Sequence, residues 1–145
     1  MSAQFDLSST VLRPMTPASL DGVMALEVDV YPFPWSRGNF ADSLVSGYTA
    51  WSLNRPTGEL LGYCVAMAGL AEMHLLNITV APAFRRQGHA RGMLSALVRH
   101  CVGVGAERLW LEVRTSNVQA RAAYARLGFS EMGRRKGNYP APAGS

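Results

Sequence analysis

Two cysteines and a single lysine, Lys136, are all that the 145 residues hold of these types. Two cysteines are too few for a disulfide framework. Cys64 lies in an apolar run and Cys101 in a helical pattern, so both are expected as buried free thiols. Fourteen Lys+Arg against ten Asp+Glu leave a net charge of +4, carried almost wholly by arginine. Arginine's planar fork suits phosphate, and the mild excess does not by itself argue for nucleic acid. No uninterrupted apolar run approaches the ~20 residues of a membrane span, and residues 1–11 lack the basic-then-apolar pattern of a secretory leader. A soluble, cytoplasmic chain is expected. His74, His89 and His100 are far apart and show no paired metal-ligand spacing with the cysteines, so no metal is expected. Neither a Gly-Lys-Ser/Thr phosphate loop nor a Gly-x-Ser-x-Gly turn is present.

Hydrophobic residues make up 48% and charged residues 17%, which excludes a disordered chain. The length suits one domain over residues 1–145, with a loose, Pro-rich tail from about residue 135. A strand is predicted at 11–15, an edge position because of Pro14. Thr16 or Ser19 caps a helix to about Asp29 with Leu20, Val23, Met24 and Leu26 on its apolar side. Tyr31-Pro32-Phe33-Pro34-Trp35 breaks it, and Ser36 caps a second helix bearing Phe40, Leu44 and Val45. Strands follow at 49–53, 60–69 and 73–80, the first two joined by a turn over 54–59. Ala90, Met93, Leu94, Leu97, Val98 and Cys101 then recur at helical spacing, ending near Gly103 and Gly105. Residues 108–114 alternate as a strand. Ser116-Asn117 caps a helix bearing Ala120, Ala123, Tyr124 and Leu127, closed by Gly128, before a last strand at 129–134. Three consecutive strands imply antiparallel pairing and the later strand-helix-strand a parallel crossover, an α/β (mixed α+β) class.

Three features bear on chemistry. Arg85-Arg86-Gln87-Gly88-His89-Ala90-Arg91 follows a strand and opens a helix. A helix N-terminus offers unpaired N–H groups and a positive dipole end, a site for phosphate; a solvated turn with arginines fits the same residues. Glu112 alternates with Leu109, Leu111 and Val113, so it shares a face with Trp110 and Arg114, either in a cleft or on a solvated face. Tyr124 lies on the buried stripe of its helix, where packing with a hydrogen-bonded hydroxyl is the ordinary role.

The order strand, Arg-Arg-Gln-Gly-His-Ala turn, helix, glutamate strand, Ser-Asn cap, Tyr helix, Leu-Gly-Phe resembles the GNAT superfamily of N-acetyltransferases over nearly the whole chain. Phe33-Pro34-Trp35-Ser36, Leu75-Leu76-Asn77-Ile78-Thr79-Val80, Leu109-Trp110-Leu111-Glu112-Val113-Arg114-Thr115-Ser116-Asn117, Tyr124 through Phe129, and Arg135 through Tyr139-Pro140 are similar to its RimI-like branch, which acetylates the N-terminal alanine of a small-subunit ribosomal protein. The resemblance implies a GNAT fold, a mixed, mostly antiparallel sheet with helices on both faces. It implies acetyl-CoA as cosubstrate, held by Arg85, Arg86, Gln87, Gly88, His89, Ala90 and Arg91 at its pyrophosphate, by Ile78, Thr79 and Val80 along pantetheine, and by Asn117 and Tyr124. It makes Glu112 the general base and Tyr124 the general acid, and it places Phe33, Trp35, Glu72, Asn77 and Tyr139 around the acceptor.

Asn138 departs from the family's paired late tyrosines, and the family's last strand is absent before Ser145. A monomer with a loose C-terminal part or a strand-exchanged dimer is expected. An α-amine, with pKa ≈ 7.7–8.0, is neutral for roughly a tenth of the time at pH 7, a lysine at ≈ 10.4 for under about one part in a thousand. One carboxylate therefore suits an α-amine better. A lysine or small-molecule amine acceptor, and a non-catalytic acyl-CoA-binding module, are the alternatives; an RNA-binding domain lacks aromatic-basic interleaving on a sheet face.

Overall fold

The computed structural model describes residues 9–112 and 118–131. Its elements run β1 (Val11–Pro14), α1 (Leu20–Val30), α2 (Arg37–Val45), β2 (Thr49–Asn54), β3 (Leu60–Gly69), β4 (Glu72–Val80), α3 (His89–Val104), β5 (Arg108–Leu111) and α4 (Val118–Arg126), with 3-10 turns at Pro17–Ser19 and Pro82–Phe84. The five strands form one sheet in the order β1-β2-β3-β4-β5. The first four pair antiparallel and β4 pairs parallel with β5, as the consecutive strands and the later crossover predict.

Several boundaries follow from named residues. Ser36 Oγ accepts from the Asn39 N–H at 3.1 Å and starts α2. Gly58 N–H donates to the Arg55 carbonyl at 2.8 Å, and Arg55 N–H to the Glu59 carbonyl at 2.9 Å, closing the β2–β3 turn. At the end of α4, Gly128 N–H donates to Ala125 O and Phe129 N–H to Tyr124 O, both at 3.0 Å. This is the paired closure of a left-handed C-terminal cap, and it brings the Phe129 ring to 5.7 Å from that of Tyr124.

The sheet has a core on each face. On one, Leu53, Leu61, Cys64, Met73 and Leu75 meet Met93, Leu94, Leu97 and Cys101 of α3, with Tyr124, Leu127 and Phe129 packed alongside. On the other, Met15, Ala50, Tyr63 and Val65 meet Leu20 and Val23 of α1 and Phe40 of α2. Both cysteines are buried and free, as expected. Burying each large side chain contributes about 1.5–3 kcal/mol.

Four expectations need correction. Val45 is 88% exposed and Val98 48% exposed, because each stands at the margin of its helix's buried stripe. Of the strand expected at 108–114, β5 covers Arg108–Leu111 and Glu112 is outside it, while residues 113–114 lie outside the described residues. Residues 129–131 form no strand: they are drawn back onto α4 by its C-terminal cap. Residues 132–134 of that expectation, and the Ser116-Asn117 cap, lie outside the described residues.

Strand β4 is bulged. Val65 pairs with Asn77 but Ala66 with Leu75, leaving Leu76 without an opposite residue. The extra residue reverses which face the strand presents. Met73 and Leu75 point into the α3 core, whereas Asn77 meets Glu27 of α1 on the opposite face.

Gly62 of β3 is pressed against this strand, since a Cβ there would lie 2.4 Å from the Thr79 carbonyl oxygen. Gly62→Ala is expected to cost about 1–3 kcal/mol of stability, the usual cost of overpacking. Chemical denaturation checks this, and an unchanged midpoint would show that the strands separate without cost.

Candidate functional site

Strands β4 and β5 run together for four residue pairs, from Glu72↔Arg108 to Leu75↔Leu111. Among the described residues that pairing ends at Leu111, while β4 continues to Val80. A small cavity opens where they part, lined by Leu75, Leu76, Asn77, Ile78, Leu111, Glu112 and Tyr124. Glu112 therefore takes the cleft rather than the solvated face, and one of its carboxylate oxygens is buried. Tyr124 reaches the same cavity from α4, held by the cap that ends that helix. Burial, with the Tyr31 phenol nearby, pushes the Tyr124 hydroxyl up to about 12. A carboxylate and a phenol that keeps its proton thus share one cavity. Such a pair can accept a proton from one reactant and donate a hydrogen bond to another.

The turn after β4 makes a second feature. Arg85 Nε donates to the Val80 carbonyl at 3.2 Å, and Arg86 at φ 64° and Gly88 at φ 83° both turn left-handed. Successive residues of alternating hand converge their N–H groups into an anion-binding concavity. The first intrahelical bond of α3 is Gly92 N–H to Gly88 O at 2.9 Å, so the N–H groups of the first turn are left for a ligand. The space over Gly88 is open, with no atom within 4 Å of a Cβ built there. The residues present therefore fit a phosphate. His89 contributes backbone alone, its side chain being buried, while Arg85, Arg86, Gln87 and Arg91 are exposed.

The expected acceptor-side residues are not all brought together. Phe33 is 80% exposed on the loop between α1 and α2. Trp35 turns inward, its ring 5.0 Å from Phe40. Glu72 stands at the opposite end of β4, about 16 Å along the strand from Asn77, and it pairs with His74 at 2.9 Å. Asn77 and Thr79 are buried with side chains bonded to protein groups, and their backbones pair with Val65 and Tyr63 of β3. Asn117 and Tyr139 lie outside the described residues. A wider groove between α3 and α4, lined by Arg91, Leu94, Ser95, Val98, Arg126, Leu127 and Phe129, contains neither Glu112 nor Tyr124.

The sequence reading missed Glu27, Tyr31 and Tyr63. Glu27 has no exposure. Its Oε1 accepts from Tyr63 OH at 2.7 Å and from Asn77 Nδ2 at 3.0 Å, and its Oε2 accepts from the Trp35 N–H at 2.9 Å. Thr79 Oγ1 donates to Asn77 Oδ1 at 2.8 Å and lies 2.8 Å from Tyr31 OH, which also donates to the Ile78 carbonyl at 3.2 Å. Burial chiefly, with the Glu27 carboxylate, pushes Tyr63 far above its ordinary value, and burial raises Tyr31. A signal was available: Glu27 stands four residues after Val23 and seven after Leu20, on the apolar stripe of α1.

Comparison with known proteins identifies the family. The Acetyltransferase (GNAT) family matches residues 20–129. The ribosomal protein bS18-alanine N-acetyltransferase of Escherichia coli strain K12 is 36% identical over 119 residues, 82% of this chain and 80% of that one. A putative enzyme of the same name from Bacillus subtilis is 29% identical over 133 residues, 91% of this chain and 88% of its own. The crystal structure of the Escherichia coli ribosomal-protein-S18-alanine N-acetyltransferase superposes with TM-score 0.82 at 32% identity, covering 93% of this chain and 86% of that one. With that family spanning both the cleft strands and the turn that opens α3, the chain belongs to the GNAT acetyltransferases.

Proposed function

We propose that this protein acetylates the N-terminal alanine of a small-subunit ribosomal protein, taking the acetyl group from acetyl-CoA in the cytoplasm. The reading rests on one observation above the others: Glu112 and Tyr124 line a single cavity beside the last described pair of β4 and β5. The relatives' activity supplies the acceptor class. Residues 85–90 hold the pyrophosphate on the N–H groups that open α3, and the pantetheine arm runs along the edge of β4 at residues 78–80 that faces away from β3.

Glu112 takes the proton from the attacking α-amine, through water, as nitrogen bonds to the acetyl carbon. The carbon–sulfur bond then breaks, and Tyr124 donates a hydrogen bond to the departing sulfur. A thiol near 8.5 is about 3.5 units below Tyr124, so full proton transfer from this phenol is uphill by roughly 5 kcal/mol. Tyr124 therefore stabilises the thiolate by its hydrogen bond, and solvent supplies the proton that completes the free thiol.

The acceptor is tested with an alanine-start peptide and with its N-blocked, lysine-containing counterpart, read by mass spectrometry. Acetylation of the first alone is expected, and equal labelling of the second would transfer the reading to lysine. Glu112→Gln is expected to lower the rate ~10²–10⁴-fold at neutral pH. That loss should shrink as pH rises past the amine's pKa; a loss independent of pH would show that Glu112 only positions.

The raised pKa of Tyr124 keeps its phenol largely protonated well into the alkaline range. The peptide kcat/KM is therefore expected to rise through pH ~8 as the amine deprotonates and then to stay level, with Tyr124→Phe lowering the plateau. A wild-type decline beginning near pH ~9 and absent from the variant would contradict a raised pKa. Gly88→Glu puts a side chain on a left-handed residue and a negative charge in the anion turn. Calorimetry should find acetyl-CoA binding lost, and unchanged affinity would remove the turn from the site.

A further inference from the structure

Acetyl transfer as described leaves one buried carboxylate without a task. Glu27 has no exposure, and its three partners are all donors: Tyr63 OH, Asn77 Nδ2 and the Trp35 N–H. A residue needed there only to fill space would be apolar. The donors belong to three separate parts of the fold. Tyr63 comes from β3, Asn77 from the part of β4 that lines the cavity, and Trp35 from the loop between α1 and α2.

That loop is tied to β4 at both of its ends. At Tyr31, the hydroxyl reaches Thr79 Oγ1 and the Ile78 carbonyl. At Trp35, the backbone N–H reaches Glu27, whose other oxygen holds Asn77. Thr79 and Asn77 are bonded to each other, so the two ties share one side-chain network. Between the anchors stand Pro32, Phe33 and Pro34, with Phe33 pointing to solvent. Each proline has its φ locked by its ring. A short, stiff loop with an exposed aromatic ring is thereby held at a set position beside the cavity.

We propose that Glu27 is a positioning residue for the acceptor peptide. Its carboxylate fixes the loop at residues 31–35 against β4, and so sets where the first residue of an extended peptide stands relative to Ile78 and Glu112. The inference rests on the acetyltransferase reading and deepens it. Residues 31–36 bear no charged side chain, which suits an uncharged first residue in the acceptor.

The test uses the full chain, an alanine-start peptide and acetyl-CoA. Glu27→Gln keeps the size of the side chain but puts an amide NH₂ among three donors, so one tie must break. Its peptide KM is expected to rise tenfold or more, while the calorimetric Kd for acetyl-CoA stays within twofold. Tyr63→Phe removes one donor but leaves both loop ties. It is expected to melt at a lower temperature and to keep its peptide KM within twofold. Tyr31→Phe breaks the opposite tie by loss of one hydroxyl and serves if Glu27→Gln does not fold; a threefold or greater rise in peptide KM alone is expected. Folded variants at positions 27 and 31 with wild-type peptide KM would overturn the proposal, as would an equal loss of acetyl-CoA affinity. An active wild type with unchanged variants overturns this inference alone. A wild type that binds acetyl-CoA yet acetylates no α-amine peptide overturns the acceptor reading together with it.

Discussion

Among the described residues, strand β4 keeps β5 as a neighbour for four pairs, and the functional geometry depends on where that pairing ends. The bulge at Leu76 comes just as the pairing ends. It turns the strand over, so its first half packs on α3 while Asn77 and Thr79 meet α1. A strand edge left open inside a fold presents backbone groups that cost about 1–3 kcal/mol each when buried without a partner. An extended ligand with amides of its own relieves that cost by pairing with such an edge. The same opening admits Glu112 from one side and Tyr124 from the other.

The opening is stiffened by a charge kept away from water. Removing a carboxylate from solvent costs several kcal/mol even after relaxation. Hydrogen bonds to a charged group contribute about 1.5–3 kcal/mol each, so the three donors around Glu27 are of the size needed to offset it. The set works as a unit: with one donor gone, the remaining two hold a carboxylate that is no longer fully compensated. Tyr63 and Tyr31 remain neutral phenols beside it, since burial raises both.

Element order was legible because period and punctuation agree along this chain. Ser36 caps as its type suggests, and Gly128 closes α4 with Phe129 folded back on Tyr124. Alternation put Glu112 opposite Leu109 and Leu111, yet it left open whether that face was solvent or cleft. The bulge was not legible: one extra residue in an apolar run leaves no mark in composition, and strict alternation puts Met73, Leu75, Asn77 and Thr79 on one face. Glu27 was passed over because the apolar stripe of α1 was traced through its hydrophobic residues alone. Glu72 was carried over with the family pattern, and the length of β4 separates it from the cavity. Residue types do not show that Glu112 and Tyr124, twelve positions apart, meet; they are joined by the parting of two strands, a long-range event.

The two cysteines have a consequence for a protein that handles an activated acyl group. Thioesters exchange readily with thiolates, and a surface thiol of low pKa would divert the acetyl group onto the enzyme itself. Cys64 is buried and its thiol is pushed up to about 12, chiefly by burial, and Cys101 is raised by the same cause. At neutral pH the thiolate of Cys64 is then present at about one part in a hundred thousand. The core therefore keeps sulfur as packing and withholds it as a nucleophile, so the protein's own thiols do not compete with the amine for the acetyl group.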